Sequence, residues 1–476
     1  MQKIKISKRI KPLCLIVPLL LSVSCHNIPP PPKLTNYIDQ TKSLFPIENY
    51  PQSVDNWFPS GPERHISVID KTAQLRHFSD LKSHYFGMKA GEKSPWNMFY
   101  IASILSQGVE ADRDANIKKY LGEKSVFWGA NFRVHTNTWK QQIRDNATAN
   151  IDRTYAPSRR GITIRETLVR LLPTLDPAYD NPGQAGQGYP FDNLQESSIR
   201  PGTPVFVLST SNDGRWKYVL SPTVKGWIYS EDIAMVDPQF VTEWLTLANK
   251  NLGAFIKSYS VHEKDLYYFT ALPGTILPFR NKRNGVFVVA VPVRNYDGRA
   301  QIRYVELKED EFVAMPWKMT PNNIAILMKA VIGRPYGWGN YNYYNDCSAE
   351  IQNLMIAFGI LLPRNSAAQI QTASQLVNLS QANINTRLRY LMDHGRPFTT
   401  LVYIQGHIML YIGNAVINGQ HVPMTYQNIW GLRPADSSSR SIIGGAVFFP
   451  LLASYPETPS LEPLAGKALF KLGFIE

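Results

Sequence analysis

The spacing of hydrophobic residues divides the chain into helical and β-rich stretches. Apolar residues three and four positions apart predict helices over 98–107 and 241–252, and another over 324–331 after a capping Thr320. Between 160 and 315, short runs of β-branched and aromatic residues are separated by Asn-Asp-Gly and Tyr-Asp-Gly turns. All-β barrels are the simplest interpretation of that region.

The C-terminal part of the chain changes from a helical pattern to a strand pattern. Asp346 is a capping residue, and the apolar positions after it predict a helix that ends near Gly359. Alternating runs then predict strands over 400–405, 407–413, 422–430 and 442–450. This order predicts an α+β domain in which the helix packs on a sheet.

The N-terminus has the pattern of an export signal. Basic residues precede an apolar run over 13–21 and small residues over 22–24, and Cys25 follows. The pattern resembles a bacterial lipoprotein signal, in which residues 1–24 are removed and acylated Cys25 holds the protein on a membrane of the cell envelope. The alternative is cleavage nearby, which would release a soluble exported protein.

The cysteine count singles out Cys347. Of the three cysteines, Cys14 is removed with the signal and Cys25 is lipidated, so Cys347 has no disulfide partner in an oxidising compartment. Because Cys347 begins the helix capped by Asp346, the helix dipole and backbone N–H groups are expected to lower its pKa and favour a thiolate. A nucleophile is the interpretation, and an inert buried thiol is the alternative.

A general base for this thiol is expected from the strands. His407 begins the strand over 407–413 and shares a face with Met409 and Tyr411. A cysteine at a helix start and a histidine at a strand start, in one domain, are the side chains that thiol catalysis needs.

Charge and motif content narrow the possible partners. The net charge is +13, and five basic residues lie before residue 25, so the rest is mildly basic and suits anionic surfaces such as cell wall or phospholipid. The sequence has no block of Lys and Arg interleaved with aromatic residues, so a nucleic-acid partner is not expected. The sequence contains no HExxH pair and no Gly-rich loop before Lys-Ser or Lys-Thr. No metal, nucleotide or other cofactor is therefore expected.

Short motifs in the last part of the chain identify a family. They are RPYGWG at 334–339, DCS at 346–348, LPRNS at 362–366 and GHI at 406–408. With them, residues 318–455 resemble the NlpC-type (NlpC/p60-like) cysteine peptidases, papain-like enzymes of bacterial murein. The upstream chain resembles the companion modules of one multidomain subfamily.

The resemblance implies a multidomain protein with a helical N-terminal module, two all-β SH3-like barrels and a C-terminal α+β papain-like peptidase domain. The implied divisions are a signal peptide at 1–24, an N-terminal stabilising module with a Pro-rich spacer at 25–150, barrels at 151–236 and 237–315, the peptidase domain at 316–456 and a C-terminal tail at 457–476.

The same resemblance implies a reaction. A monomer would cleave the bond between γ-D-glutamate and a diamino acid, meso-diaminopimelate, in murein stem peptides, with Cys347 as nucleophile and His407 as base. The residues that match motif positions shaping the substrate site are Tyr336, Trp338, Asp346, Ser348 and Ser366.

The position that orients the histidine departs from the family pattern. Where the subfamily has His-Asn-Ile-Trp-Gly, this chain has Gln427 in place of the first His. A glutamine carbonyl can accept the imidazole N–H and hold its tautomer, so Gln427 is the predicted orienter. His421, at the start of the same segment, is a rival.

An acid from the first barrel is a further expectation. In relatives with adjacent barrels, such an acid can bind the free N-terminal amine of the stem peptide. The nearby acids here are Asp192 and Asp213, which also suit turns, and Thr203 stands where some relatives have Glu.

Two other functions stay open. The first is a catalytically inactive lipoprotein that binds murein, which Gln427 and the Ala349 in place of the usual Gly favour. The second is an acyltransferase that uses the same thiol and passes the acyl group to an amine instead of water.

Overall fold

The computed structural model of this chain describes residues 41–476, and the predicted acylation site Cys25 lies outside them. The N-terminal part contains β1 (Lys42–Leu44), α1 (Lys71–Phe86), α2 (Met98–Ser106), α3 (Glu110–Leu121) and α4 (Asn137–Ala147). The helix predicted over 98–107 is thereby confirmed. Side-chain oxygens of Asp70, Asn97 and Thr136 accept first-turn N–H groups of α1, α2 and α4, and so set where these helices begin.

The first barrel follows the N-terminal helices. It consists of β2 (Arg160–Thr163), β3 (Thr167–Arg170), β4 (Gln195–Ile199), β5 (Pro204–Thr210), β6 (Trp216–Leu220), β7 (Lys225–Tyr229) and β8 (Ile233–Met235). These strands pair antiparallel in the order β4-β3-β7-β6-β5-β2-β8. Buried Phe206, Trp216 and Trp227 lie in its core together with apolar residues of α2, α3 and α4, so the helical part and the barrel share a core.

A helix, α5 (Pro238–Lys250), leads to the second barrel and confirms the helix predicted over 241–252. The strands that follow are β9 (Leu252–Phe255), β10 (Tyr259–Glu263), β11 (Leu266–Ala271), β12 (Ile276–Arg283), β13 (Val286–Arg294), β14 (Ala300–Lys308) and β15 (Phe312–Ala314). Their order is β14-β13-β12-β9-β15, with β10 and β11 as a separate hairpin. The prediction of all-β structure between 160 and 315 is therefore confirmed, apart from α5.

The C-terminal domain combines helices with a sheet. Its helices are α6 (Pro321–Val331), α7 (Cys347–Ile356), α8 (Ser366–Gln371) and α9 (Ile384–His394). Its strands are β16 (Gln375–Asn378), β17 (Thr400–Ile404), β18 (His407–Ile417), β19 (Gln420–Leu432), β20 (Arg440–Pro450) and β21 (Phe470–Phe474). The helices predicted around Thr320 and after Asp346 and the strands predicted from 400 to 450 are confirmed.

The sheet of this domain recruits both ends of the described chain. Its order is β1-β20-β19-β18-β17-β21-β16, with β1 parallel to β20. The separation of 457–476 as a C-terminal tail is wrong, because β21 lies between β17 and β16. Leu472 and Phe474 of β21 are buried apolar side chains in the core below the sheet.

The two faces of this sheet belong to different cores. Ile408 and Leu410 of β18 share one core with Cys347, and Met409 shares the other with Leu391 of α9. Helix α7 therefore packs on the face that carries Ile408, as the alternation of strand side chains requires. No helix within residues 41–476 is long and apolar enough to cross a membrane.

Candidate active site

Cys347 is the first residue of α7, and Asp346 sets the conformation of this helix start. The Asp346 carboxylate accepts the Ala349 N–H over 2.9 Å and caps the helix. Within residues 41–476, no group accepts a hydrogen bond from the Cys347 N–H. Cys347 as a residue is 8% exposed, and the N–H groups of Ser348 and Ile408 interact with its sulfur.

A buried ion pair holds Asp346 in place. Arg364 donates from Nη2 to Asp346 Oδ2 over 2.7 Å and from Nη1 to Oδ1 over 3.1 Å. The same guanidinium donates to Ser348 Oγ over 2.9 Å and to Ser197 Oγ of the first barrel over 2.7 Å. Burial alone would raise the pKa of Asp346, but the charge and hydrogen bonds of Arg364 outweigh it, so the pKa is lowered. Asp346 is therefore a carboxylate at neutral pH.

His407 begins β18, and its imidazole contacts Gln427 on the neighbouring strand β19. Nε2 of His407 and Oε1 of Gln427 are 2.7 Å apart. The Gln427 amide donates from Nε2 to Thr425 Oγ1 over 2.9 Å, and the Thr425 hydroxyl donates to the Phe449 carbonyl over 2.8 Å. Because the Thr425 proton is used on Phe449, its oxygen accepts, and the carbonyl of Gln427 must face the imidazole. Nε2 of His407 therefore carries the proton, and Nδ1 is left to act as a base.

The start of α7 lies close to the start of β18. The N–H that interacts with the Cys347 sulfur belongs to Ile408, the residue after His407. The Asp346 carboxylate, one residue before the thiol, lies close enough to raise the pKa of His407. The tertiary structure thus places the Cys347 sulfur against the residue that follows His407, and His407 against Gln427.

Burial keeps both partners uncharged. It raises the pKa of the Cys347 thiol to about 12, and the negative charge of Asp346 adds to this shift. It lowers the pKa of His407 to about 4, although the hydrogen bond to Gln427 and the charge of Asp346 act the other way. The prediction that the helix start lowers the pKa of Cys347 is therefore wrong for the resting protein, because loss of solvent outweighs the helix N–H groups.

A row of aromatic side chains extends from Tyr336, near the cysteine, to the first barrel. Tyr336 is buried near Cys347, and its ring centroid lies 6.0 Å from that of Trp430. Trp338 is 37% exposed and meets Phe191 of the barrel edge-on at 5.3 Å. Phe191 also meets Trp430 at 6.3 Å, so the barrel completes this aromatic wall.

The other predicted residues lie in different settings. Ser366 begins α8 and is half-buried, and its hydroxyl forms no hydrogen bond with a residue in 41–476. His421 is exposed at the start of β19 and pairs with Val416 of β18. It therefore lies far along the strands from the contact between His407 and Gln427. The rival role for His421 as the orienter of His407 is therefore excluded by its position.

None of the barrel residues considered from the sequence supplies an acid to the cleft. Asp192 is buried in an ion pair with Arg170, and Asp213 accepts hydrogen bonds within its own turn. Thr203 bonds to the Arg200 carbonyl. A different acid of the first barrel, Glu196 of β4, lies between Gln195 and Ser197. Its pKa is affected by the charges of Arg364 and Asp346.

Glu196 has the properties of an unpaired acid at this site. Its side chain is exposed, and no ion pair joins it to a residue in 41–476. Partial loss of solvent and the negative charge of Asp346 raise its pKa, and Arg364 opposes this shift. In β4, Gln195 and Ser197 are buried and Glu196 is exposed. This alternation could have pointed to Glu196 from the sequence, but only if the position of the strand had been known.

Other residues were also missed from the sequence alone. Arg364 lies inside a quoted motif, yet its role as the partner of Asp346 depends on a contact across 18 residues. Thr425 was not considered, and only the strand geometry shows that it bonds to Gln427.

Comparisons with known proteins place this architecture. Residues 177–229, within the first barrel, match the SH3 domain family of the SH3b1 type. An NlpC/P60 endopeptidase from Photobacterium damselae subsp. piscicida superposes with a TM-score of 0.79 at 25% identity, covering 91% of this chain and 99% of that one. An NlpC/P60 family protein from Bacillus cereus ATCC 10987 superposes with a TM-score of only 0.41 at 14% identity, covering 64% of this chain and 98% of that one. No curated protein sequence is similar enough to count as a match.

Proposed function

We propose that this chain, an NlpC/P60-like protein with an SH3-like domain, is a cysteine endopeptidase of the bacterial cell wall. Its reaction is hydrolysis of the bond between γ-D-glutamate and meso-diaminopimelate in murein stem peptides. The observation that carries the proposal is that the sulfur of Cys347, at the start of α7, interacts with the N–H of Ile408, next to a histidine whose Nε2 donates to Gln427. The endopeptidase from Photobacterium damselae supports the reaction class.

The first step starts from a neutral pair. Nδ1 of His407 takes the thiol proton of Cys347 while the sulfur attacks the amide carbon, because burial makes a resting thiolate unfavourable. The electron pair of the C=O bond moves to oxygen. The free Cys347 N–H is placed to stabilise this oxyanion, with the hydroxyl of Tyr336 as a second donor.

The second step releases the amine. The C–N bond breaks, the imidazolium of His407 gives its proton to the leaving nitrogen, and an acyl-enzyme on Cys347 remains. His407 then takes a proton from water as the water oxygen attacks the thioester carbon. The C–S bond breaks, the free acid leaves, and the sulfur takes the proton back from His407 to regenerate the thiol. Gln427 stabilises the imidazolium in both halves because its carbonyl accepts the Nε2–H.

The first barrel supplies the preference for a free peptide end in this proposal. The negative charge of Asp346 is matched by Arg364, whereas Glu196 has no cationic partner in the described chain. An N-terminal ammonium of a stem peptide is a ligand of the right charge for Glu196. Stem peptides already released from glycan at the L-alanine end would then be the substrates.

Export and lipidation at Cys25 belong to the same proposal, since murein lies outside the cytoplasm. The protein would act as a monomer on the cell-envelope side of a membrane. Mass spectrometry of the mature N-terminus, with Cys25→Ser as control, tests the acylation, and size-exclusion chromatography tests the oligomeric state.

The decisive experiment is hydrolysis of L-Ala-γ-D-Glu-meso-diaminopimelate by the full chain, followed by mass spectrometry. Release of diaminopimelate by wild type but not by a folded Cys347→Ala variant is the expected result. An added amine acceptor separates hydrolysis from acyl transfer, because a transferase would form the amide product in preference to the free acid.

A catalytically inactive murein-binding protein is the second candidate. The observation in its favour is the buried, protonated Cys347. Binding of the same peptide by wild type without cleavage would establish it in place of the peptidase.

A further inference from the structure

A second pocket lies beside the candidate active site and shares His407 with it. Its volume is about 250 Å³. The walls come from the β17–β18 turn, the end of β19, the segment before β21 and Phe191 of the first barrel. None of Asp346, Ser348 and Arg364 lines it, so it is separate from the cluster around the cysteine.

This pocket is rich in positive charge. Arg433, Arg440 and Lys467 line it together with one acid, Glu462. Lys467 forms an ion pair with Glu462, which uses the only carboxylate among the lining residues. Within residues 41–476, neither Arg433 nor Arg440 forms an ion pair with a carboxylate. Among the described residues, the guanidinium groups of Arg433 and Arg440 are therefore not compensated by a carboxylate.

The two arginines lie close enough to repel each other. Burial lowers the pKa of Arg440, and the positive charge of Arg433 lowers it further. Arg433 is exposed and donates to Ser437 Oγ over 3.0 Å, while half-buried Arg440 donates to the Ser439 carbonyl over 3.2 Å. An anion between these groups would remove the repulsion.

The first barrel holds Arg440 in place. A Cβ atom on Gly186 would lie 1.9 Å from Nη2 of Arg440, so the guanidinium rests directly on the barrel backbone. Gly186 also has φ of +78°, a conformation that side chains other than glycine's disfavour. Arg440 therefore lines the pocket while its guanidinium packs against the backbone at Gly186.

We infer that Arg433 and Arg440 bind a carboxylate on the amine side of the scissile bond, and thereby select meso-diaminopimelate over lysine at that position. This inference rests on the proposed function. His407 protonates the leaving amine in that mechanism, so the amine-side residue lies next to His407 and its pocket. Diaminopimelate carries a carboxylate at the far end of its side chain where lysine has none, and guanidinium groups bind carboxylates with paired hydrogen bonds.

The test compares two peptides that differ in that carboxylate. The kcat/KM of the full chain is measured for L-Ala-γ-D-Glu-meso-diaminopimelate and for L-Ala-γ-D-Glu-L-Lys. Wild type is expected to prefer the first, and Arg440→Gln to lower kcat/KM for it by about 10- to 100-fold, as expected for loss of a charge-assisted contact. The kcat/KM for the lysine peptide should change by less than about threefold. That result would also show that the variant is folded and active.

Matched variants complete the test. Arg433→Gln, at the exposed side of the pocket, is expected to act in the same direction and is independent of the packing on Gly186. Arg389→Gln removes an equal charge from exposed surface on α9. It should leave unchanged the ratio of kcat/KM for the diaminopimelate peptide to that for the lysine peptide.

The outcomes separate the two proposals. Equal cleavage of both peptides by wild type, or a ratio that neither pocket variant changes, would overturn the carboxylate pocket and leave the peptidase intact. Cleavage of neither peptide would overturn both.

Discussion

The imidazole of His407 donates its Nε2–H to the side-chain carbonyl of Gln427, with 2.7 Å between the two heavy atoms. The contact joins the start of β18 to the middle of β19, across 20 residues of sequence. Glutamine carries no charge, so it orients the imidazole without holding it as an imidazolium. In the proposed mechanism, this contact leaves Nδ1 of a neutral imidazole free to act as the base.

Loss of the Gln427 carbonyl should impair the chemical step. Gln427→Leu keeps similar volume but cannot accept the Nε2–H, so kcat is expected to fall by about 10²-fold, with a smaller change in KM. Thr425→Val removes the hydroxyl that orients the amide and should lower kcat by roughly tenfold, whereas Thr425→Ser restores it. Steady-state kinetics check both changes. A purely structural role for Thr425 would lower thermal stability without this difference between Val and Ser.

The thiol of Cys347 should react slowly at neutral pH. Because burial raises its pKa to about 12, alkylation by iodoacetamide is expected to increase with pH up to about pH 9 without levelling off. Mass spectrometry of the peptide that contains Cys347 gives the rate, and the unfolded protein, with a thiol pKa near 8.5, is the control. A plateau below pH 7 would show a resting thiolate and contradict the neutral pair.

Activity should be lost on the acid side only at a pH far below the usual pKa of histidine. His407 must be neutral to accept the thiol proton, and its pKa is lowered to about 4. The kcat/KM is therefore expected to stay level from about pH 9 down to about pH 5 and to fall as pH approaches 4. A pH profile of kcat/KM checks this. An acid limb near 6.5 would mean that the imidazole is solvated in the working enzyme.

The Asp346–Arg364 pair should be important for stability. Both side chains are less than a tenth exposed, so Arg364→Leu leaves a buried carboxylate without its partner and should lower the free energy of unfolding by about 3–5 kcal/mol. Denaturant unfolding measures the change. Arg389→Leu, on exposed surface of α9, is the control and should have little effect.

The same pair predicts a pH dependence for Arg364→Leu. In the wild type, the pKa of Asp346 is below its unfolded value, so its contribution to stability is present above the unfolded pKa and is lost only as pH falls through the lower folded pKa. Without Arg364, burial dominates and raises the pKa, so the variant should become relatively more stable as pH falls. Equal pH slopes for both proteins would show that Arg364 does not control the ionisation of Asp346.

Glu196 should determine the preference for a free peptide end. Glu196→Gln is expected to raise KM for a stem peptide with a free N-terminal amine by about tenfold and to leave an N-acetylated peptide unchanged. Glu231→Gln, another exposed acid of the first barrel, is the matched control. Equal losses on both peptides would assign Glu196 to folding or to general electrostatics.

Much of the fold was predictable because helix and strand patterns depend on near neighbours. The Asp346 cap placed Cys347 at a helix start, and alternation placed His407 at a strand start, as the structure has them. The C-terminal strand β21 was missed. It is short, and its place between β17 and β16 depends on pairing with strands far away in the sequence.

The sequence by itself determined the local elements in which the reactive side chains lie. These are a lone cysteine at a helix N-terminus, a histidine and a glutamine on successive strands, and arginines near the C-terminus. Only the tertiary structure decided their ionisation and partners. Burial of Cys347 raises its pKa, Glu196 of the first barrel lies within the electrostatic influence of Arg364 and Asp346, and the Arg440 guanidinium packs on Gly186. These properties depend on solvent exclusion and on charges from distant segments, which no local pattern contains.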